Sequence, residues 1–160
     1  MLTEEHKIEY ENYFQSNSDY YLEQMAKIDS GKKFTFNIAA FFLGIFWMAY
    51  RKMYIHIVIV FGIIFAEMLI EEMLLDFGVI SYAVYETIDS LSMFIWSFLF
   101  ATLSNGLYIS KTKKEIRKIL NENENTKIQN ELISKKGGVN SFAPFILLLI
   151  IIGLISISSI

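Results

Sequence analysis

The sequence predicts an all-α integral membrane protein with three transmembrane helices, one re-entrant or interfacial helix, and short cytoplasmic amphipathic helices. The alternative is a protein with four transmembrane helices. Hydrophobic residues make up 54% of the 160 residues, and the mean hydropathy of +0.40 exceeds what a soluble domain of this size usually carries. The apolar residues are gathered in long segments, and basic and acidic residues flank different ends of those segments.

Four apolar segments are candidates for crossing a membrane. Each approaches the roughly 20 residues that a helix needs to cross the hydrocarbon of a bilayer. They are Phe34 to Tyr50, Met53 to Ile70, Leu91 to Ile109, and Phe142 to Ile160.

The positions of the charges predict the orientation, because Lys and Arg near span ends stay preferentially in the cytoplasm. No Lys or Arg occurs from Met53 through Ser110, and acidic residues dominate the connection between the second and third segments. Basic residues are frequent in residues 111–141, directly after the third segment. We therefore expect the 111–141 loop to be cytoplasmic and the 71–90 connection and the C-terminus to be external.

The first segment, Phe34 to Tyr50, is ambiguous because it has basic pairs at both ends. The pairs are Lys32 and Lys33 before it, and Arg51 and Lys52 after it. A full crossing would leave one pair outside, so we predict a re-entrant or interfacial helix with a cytoplasmic N-terminus. In that arrangement Arg51 and Lys52 mark the start of the second span, and Trp47, Tyr50 and Tyr54 lie at headgroup level. The rival is a full crossing with the N-terminus outside.

The predicted domain organisation is a polar N-terminal helical region at 1–33, followed by a helical membrane domain at 34–160 that includes the 111–141 loop. Ser18 and Asp19 are suited to cap a helix that carries Tyr21, Met25 and Ile28 on one face, with Gly31 at its end.

Short helices are also predicted in the basic loop. Ile116, Ile119 and Leu120 share one helical face, and the run "NENEN" interrupts that helix. Thr126 and Gln129 have capping-box spacing for a second helix. Gly137 and Gly138 then form a hinge, and Pro144 falls in the first turn of the last segment, where a missing N–H costs little.

Few residues point to chemistry. The sequence has no cysteine, which removes thiolate catalysis and cysteine metal sites, and its net charge of −3 does not indicate a nucleic-acid partner. His6 and His56 lack partners at metal-ligand spacing, and no nucleophile elbow or phosphate-binding glycine loop occurs. We expect no catalytic, cofactor or metal residues and no enzymatic activity.

The possible functional residues are Glu67, Glu71 and Asn105. An ionisable group in a span is often functional, although Glu67 and Glu71 lie near the predicted outer interface and an ordinary water-exposed carboxylate is the simpler interpretation.

Small residues predict helix packing. Gly62 and Ala66 in the second span are expected to face Ser97 and Ala101 in the third, at matching depth in an antiparallel hairpin.

Three stretches together carry a resemblance: "KFTFNIAAFFLGIFWMAYRKMY", "NGLYISKTKKEIRKI" and "KKGGVNSF". They resemble a bacterial membrane family known as domain of unknown function 2628, over roughly residues 20–160. The matching positions include Asn37, Gly44, Trp47, Tyr50, Arg51, Lys52, Met53, Asn105, Tyr108, Gly137 and Gly138. Ile38 stands where the family commonly has Trp, and Ile45 where Pro usually follows the glycine. The resemblance implies a membrane protein and implies no reaction.

The expected function is that of a small non-enzymatic adaptor, scaffold or interaction protein in the cytoplasmic membrane of a bacterium. Its amphipathic cytoplasmic helices would dock on a membrane or cytosolic protein partner. The alternative is a small transporter or channel component that uses Glu67 and the Ser97–Asn105 face. Membrane lipid is the other expected partner, and the basic loop is either a plain topology signal or a site for anionic headgroups. The ligand and the oligomeric state stay open.

Overall fold

The computed structural model describes residues 6–158, and this part of the chain is all-α, as predicted, with no strand. The helices are α1 (Lys7–Phe14), α2 (Ser18–Asp29), α3 (Ile38–Leu43), α4 (Ile45–Tyr50), α5 (Tyr54–Asp76), α6 (Tyr82–Glu122), α7 (Thr126–Lys136) and α8 (Ala143–Ser158). The beginning of the predicted 1–33 region and the end of the predicted fourth segment at Ile160 lie outside the described residues.

The N-terminal region forms two helices, of which α2 was predicted from the sequence. α2 begins at Ser18, but Asn17, in a left-handed conformation at φ +64°, occupies the cap position and no side chain caps the helix, so the predicted cap at Ser18 and Asp19 does not form. The chain leaves α2 through Gly31 at φ +98°. A positive φ is available to glycine without the Cβ penalty that other residues carry. Tyr21 and Met25, predicted to share a face, are both buried.

The first apolar segment is a pair of short helices and not one continuous helix. Asn37 caps α3 by accepting a hydrogen bond from the Ala40 amide at 2.9 Å. Gly44 separates α3 from α4 at φ +48° and ψ −120°, a conformation essentially restricted to glycine. A Cβ at Gly44 would also lie 3.2 Å from the Phe100 ring. The break therefore forms although Ile45 replaces the proline usual in the family.

Both ends of this segment contact the same level of α6. Thr35 Oγ1 accepts a hydrogen bond from Asn105 Nδ2 at 3.0 Å, and the Arg51 guanidinium carbon lies 5.4 Å from the centre of the Tyr108 ring. Asn105 and Tyr108 are three residues apart, which is about 4.5 Å of helix rise. The segment therefore leaves this level of α6, turns at Gly44 and returns to it.

The longest helix, α6, joins two elements that the sequence suggested were separate. It runs for 41 residues, so the apolar segment Leu91 to Ile109 and the amphipathic stretch around Ile116 belong to one rod. No proline interrupts this stretch, and α6 ends inside the "NENEN" run, at Glu122, as predicted.

Among the described residues, α6 is the helix whose length and apolar character suffice to cross a membrane, and Ala143–Ile157 is a shorter apolar helix. Of the three predicted spans, the one within α6 therefore has the length and the apolar composition that a span needs, and the other two do not among the described residues. α5 has 23 residues, but four acidic residues fall in its last ten positions. The uncharged part of α5 that precedes them extends for only about 20 Å at 1.5 Å per residue.

One hydrophobic core connects the N-terminal helices to the rest of the chain. Here "the Arg51 bundle" means α1, α2 and α7 with residues 105–122 of α6. Its buried hydrophobic side chains form one cluster with Trp47 and Met53, and they include Tyr10, Tyr13, Phe14, Tyr21, Met25, Tyr108, Ile109, Ile116, Ile119 and Ile133. The predicted boundary after residue 33 therefore does not separate two cores.

The start of α7 differs from the prediction. Asn125, and not Thr126, caps the helix by accepting from the amides of Lys127 at 2.9 Å and Ile128 at 3.3 Å. The Gln129 side chain does not complete a capping box, because it donates to the Asn123 carbonyl instead. At α8, Asn140 Oδ1 accepts from the Phe142 and Ala143 amides, and Pro144 lies in the first turn as predicted.

Candidate functional site

Arg51 lies at the centre of the Arg51 bundle, and only 2% of its surface is exposed. Its terminal nitrogens donate to the carbonyls of Phe14 at 3.3 Å and Ser16 at 3.0 Å. Its guanidinium carbon lies 4.5 Å from the Tyr21 ring centre and 5.6 Å from that of Tyr50. A planar, weakly hydrated guanidinium suits this combination of carbonyl and aromatic contacts.

These contacts give Arg51 a structural role that the sequence did not suggest. It was predicted to mark a cytoplasmic span start, where a charged side chain reaches water. Phe14 and Ser16 lie at the C-terminal end of α1, where backbone carbonyls lack helical partners and carry partial negative charge. Arg51 therefore fixes the end of α1 to the start of α5.

Aromatic rings from α1, α2, α4 and α6 surround Arg51. Tyr21 contacts Phe14 and Tyr108 at ring-centre distances of 5.2 and 5.0 Å, and Trp47 contacts Tyr108 at 5.9 Å. Burial raises the pKa of Tyr21, while the Arg51 charge opposes that rise. Trp47 was expected at headgroup level, but it is 3% exposed because the tyrosines of the bundle enclose it.

Two polar atoms of this cluster are left without a hydrogen-bond partner in the described part of the chain. They are Arg51 Nε and the Tyr108 hydroxyl, and both are buried. The sequence signal for the cluster was the density of tyrosine in the otherwise polar N-terminal region, at Tyr10, Tyr13, Tyr20 and Tyr21.

Next to Arg51, Lys52 and the glycine pair, Gly137 and Gly138, join the end of α7 to α1 and to the start of α5. The Gly138 amide donates to the Tyr13 carbonyl at 2.7 Å, and Lys52 Nζ donates to the carbonyls of Gly137 and Lys135. A Cβ at Gly137 would overlap the backbone of Tyr13, with its Cα only 2.6 Å away. The pair was predicted as a hinge, but its backbone is packed directly against α1.

Asn37 and Asn105 form a buried amide pair between α3 and α6. Asn37 Nδ2 donates to Asn105 Oδ1 at 2.9 Å, and Asn105 Nδ2 donates to the Tyr20 hydroxyl at 2.9 Å as well as to Thr35. The Asn37 amide N–H donates to the Ala101 carbonyl at 2.7 Å. Asn105, predicted as a possible functional residue, is thus a buried and well-bonded part of the helix interface.

Glu67 and Glu71 line a different site, a groove of about 600 Å³ between α5 and α6 that Asp89 also borders. Glu67 accepts from Ser92 Oγ at 2.8 Å and from Trp96 Nε1 at 2.7 Å. Trp96 and Asn105 are nine residues apart on α6, or about 13 Å. The structure therefore brings Glu67 and Glu71 together in this groove, whereas Asn105 lies in the amide pair with Asn37.

The predicted packing of the small residues differs from the structure. Gly62 and Ala66 are exposed, and a Cβ added at Gly62 would meet nothing within 4 Å. Ala101 is buried against α3, and the Ser97 hydroxyl donates within its own helix to Met93. Because α3 occupies the small-residue face of α6, that face is not available to α5.

Residues 6–158 contain no group of three or more His, Cys, Asp or Glu side chains arranged to hold a metal ion. His6 lies next to Glu9, at 3.7 Å, while His56 is half-buried on α5.

Comparison with known proteins gives one match. A sequence model of the family described as Protein of unknown function (DUF2628) matches residues 8–114, while no curated protein and no solved structure matches the chain. The matched part contains Asn37, Gly44, Arg51, Asn105 and Tyr108, and it ends before the glycine pair. The match thus begins before the expected residue 20 and does not include the third stretch, "KKGGVNSF". The chain belongs to the Protein of unknown function (DUF2628) family.

Proposed function

We propose that the chain is an integral membrane protein whose α6 crosses the bilayer. The observation that carries this proposal is the exposure of the apolar part of α6. Only 11% of its most apolar 18-residue window is buried inside the protein. The core helix of a soluble protein would be mostly buried, whereas lipid is the environment in which an exposed apolar helix is stable.

Exposed apolar side chains on α5 and α8 support two further spans. They include Val58, Ile63 and Phe65 on α5, and Phe145, Leu149 and Leu154 on α8. Glu67 would lie within the α5 span, where its bonds from Ser92 and Trp96 satisfy the carboxylate without water. The described part of α8 has 16 residues, which extend for about 24 Å.

The first apolar segment then enters the membrane and returns. Its return to the level of Tyr108, together with the break at Gly44, supports a re-entrant element over a fourth crossing. The contacts of α1 with α7 also favour the same side of the membrane for both helices, because Asn12 bonds to Asn130 and Gln15 bonds to Ser134. Basic residues of the 111–141 loop favour the cytoplasmic side for the Arg51 bundle.

We further propose that the protein is a non-enzymatic adaptor that holds a partner at the membrane through the Arg51 bundle. α6 supports this role because it continues from the apolar segment into the bundle without a break. A partner bound to the bundle would therefore be held rigidly with respect to the spans. The apolar faces of α2, α6 and α7 are used inside the bundle, so contact would involve its outer, largely polar surface.

The experiment that tests the topology uses single cysteines in the naturally cysteine-free chain. Ser16→Cys on the bundle, Lys127→Cys on α7 and Val79→Cys in the α5–α6 turn are all at exposed positions. In intact cells, an impermeant thiol reagent should label Val79→Cys only, and membrane opening should expose the other two. Labelling of Ser16→Cys from outside would overturn the re-entrant arrangement.

The adaptor role is tested by photo-crosslinking in native membranes from Ile8 and Ile128, which are exposed apolar residues of the bundle on α1 and α7. A reproducible heterologous protein crosslinked from these positions, and not from Phe77 outside the bundle, is expected. Absence of any protein adduct from both positions would contradict the role.

A small transporter or channel component is the second proposal, and the groove around Glu67 favours it. Glu71 is 8% exposed and borders this groove together with Asp89. Cation flux into vesicles that contain the purified protein should fall in Glu67→Gln and Glu71→Gln if the groove conducts. Flux that is equal to that of protein-free vesicles would exclude this function.

A further inference from the structure

A second groove lies where α6 changes from apolar to basic. It has a volume of about 660 Å³ and is bordered by Lys113, Lys114, Arg117 and Lys118 on α6 and by Ile28 at the end of α2. Gly106, Ile109 and Ser110 form its other end, towards the apolar part of α6. The groove therefore has a basic end and a less polar end.

The charge balance of the groove leaves positive charge at its mouth. Lys113 forms an ion pair with Asp29, and Lys118 lies 3.8 Å from Glu122. Lys114 and Arg117 are exposed, and Glu122 is the acidic residue at the groove border. An anionic group bound here would face more basic than acidic side chains.

The register along α6 puts exposed apolar residues about two to three turns before Lys114 on the same helix face. Leu103 and Leu107 are exposed on α6, and positions 103, 107, 110, 114 and 118 follow the three- and four-residue spacing of one helix face. This face changes from leucine to lysine at Ser110. Such a change matches an amphiphile with an anionic head and a hydrocarbon tail.

We infer that this groove binds the headgroup of an anionic phospholipid from the leaflet on the side of the Arg51 bundle. Lys114, Arg117 and Lys118 would contact the phosphate, Ser110 would donate a hydrogen bond to it, and an acyl chain would lie along Leu103 and Leu107. The inference rests on the proposed membrane insertion, and it adds a ligand class and a site. Guanidinium and ammonium groups bind phosphate by charge-assisted hydrogen bonds, and they would repel the choline cation of a zwitterionic lipid, so the site selects a headgroup with net negative charge.

The test uses the full chain reconstituted in vesicles of equal parts phosphatidylglycerol and phosphatidylcholine. The protein is released in mild detergent, and the bound lipids are counted by native mass spectrometry. The groove variant is Lys114→Gln, Arg117→Gln and Lys118→Gln. The matched control removes three exposed charges of α7, by Lys127→Gln, Lys135→Gln and Lys136→Gln.

The wild type and the control should retain phosphatidylglycerol over phosphatidylcholine by roughly threefold or more, and the groove variant should retain both lipids about equally. Equal loss in the control would mean that overall charge, and not the groove, selects the lipid, and it would overturn the inference. Displacement of the retained lipid by millimolar glycerol phosphate would point to a free phosphate ligand and would also overturn it.

Flotation with the vesicles separates this inference from the proposed function. If the protein floats with the vesicles and resists alkaline extraction but shows no lipid preference, only the inference fails. If it does not float, membrane insertion itself fails.

Discussion

The guanidinium carbon of Arg51 lies 4.5 Å from the centre of the Tyr21 ring and 5.4 Å from that of Tyr108. These two rings belong to α2 and α6, so one cation connects an N-terminal helix to the longest helix of the protein. The same side chain donates to two carbonyls at the end of α1. Arg51 therefore connects α1, α2 and α6 within the Arg51 bundle.

Arg51→Lys should destabilise the bundle by about 2 kcal/mol or more, because one ammonium cannot reach both carbonyls and also stack on the rings. Thermal unfolding of the purified protein in detergent, followed by the fluorescence of its two tryptophans, Trp47 and Trp96, measures this loss. Arg117→Lys is the matched control, since Arg117 is exposed and should tolerate the change. Equal melting temperatures for Arg51→Lys and the wild type would show that the buried guanidinium is not required.

Gly137→Ala should detach α1 from the glycine pair. Its Cβ would overlap the Tyr13 backbone, and a backbone cannot move aside as a flexible side chain can. We expect a cost of about 3 kcal/mol or more. Limited proteolysis should then cut between α1 and α2 much faster than in the wild type.

Gly62→Ala is the control for this substitution. A Cβ there meets nothing within 4 Å, and alanine favours a helix over glycine. The stability of Gly62→Ala should equal or slightly exceed that of the wild type. A clear loss would mean that Gly62 packs against another helix, as the small-residue pattern predicted.

Asn37 and Asn105 should behave as one energetic unit. Either alanine substitution leaves the partner amide buried with fewer bonds, which costs about 1–3 kcal/mol. The double variant removes both amides, so its loss should be smaller than the sum of the two single losses. A double-mutant cycle measured by chemical unfolding in detergent gives the coupling, and strict additivity would contradict the pairing.

The helices themselves were largely predictable from local signals. α2 ends before Gly31, Pro144 lies in the first turn of α8, and the "NENEN" run ends α6, whereas Asn17 and not Ser18 holds the cap position of α2. Each of these signals acts within one or two helical turns, so it can be recognised in the sequence without knowledge of the tertiary fold. The cap at Asn125 in place of Thr126 is a one-residue difference of the same local kind.

The Arg51 bundle was not predictable, because its contacts join distant parts of the sequence. Arg51 followed by Lys52 between apolar segments has the pattern of a topology signal, and nothing next to it in the chain indicates burial. The surrounding tyrosines come from α1, α2 and α6, and only the fold brings them together. For the same reason the small-residue stripe of α6 was assigned to α5, although α3 occupies it.

We predict a loss of stability at high pH from the ionisation of the Tyr13 hydroxyl. Its hydroxyl donates to Glu115 Oε2 at 2.6 Å, and burial, followed by this carboxylate, raises the Tyr13 pKa well above its usual range. Because the pKa is raised in the folded state, the stabilisation is fully present below the unfolded value of about 10 and falls as the pH rises above it. The free energy of unfolding should therefore decrease steadily from pH 10 upward.

Tyr13→Phe isolates this contribution. The variant lacks the titrating hydroxyl, so above pH 10 its stability should fall less steeply than that of the wild type, although burial also raises the pKa of Tyr10 and Tyr21. Unfolding curves at several pH values between 8 and 11.5 measure the slope, and tyrosinate absorbance identifies the residues that ionise. Tyr82→Phe, at an exposed position, should leave the slope unchanged. Parallel slopes for the wild type and Tyr13→Phe would mean that Tyr13 ionises as easily in the folded protein as in the unfolded chain, and that its bond to Glu115 does not hold α1 on α6.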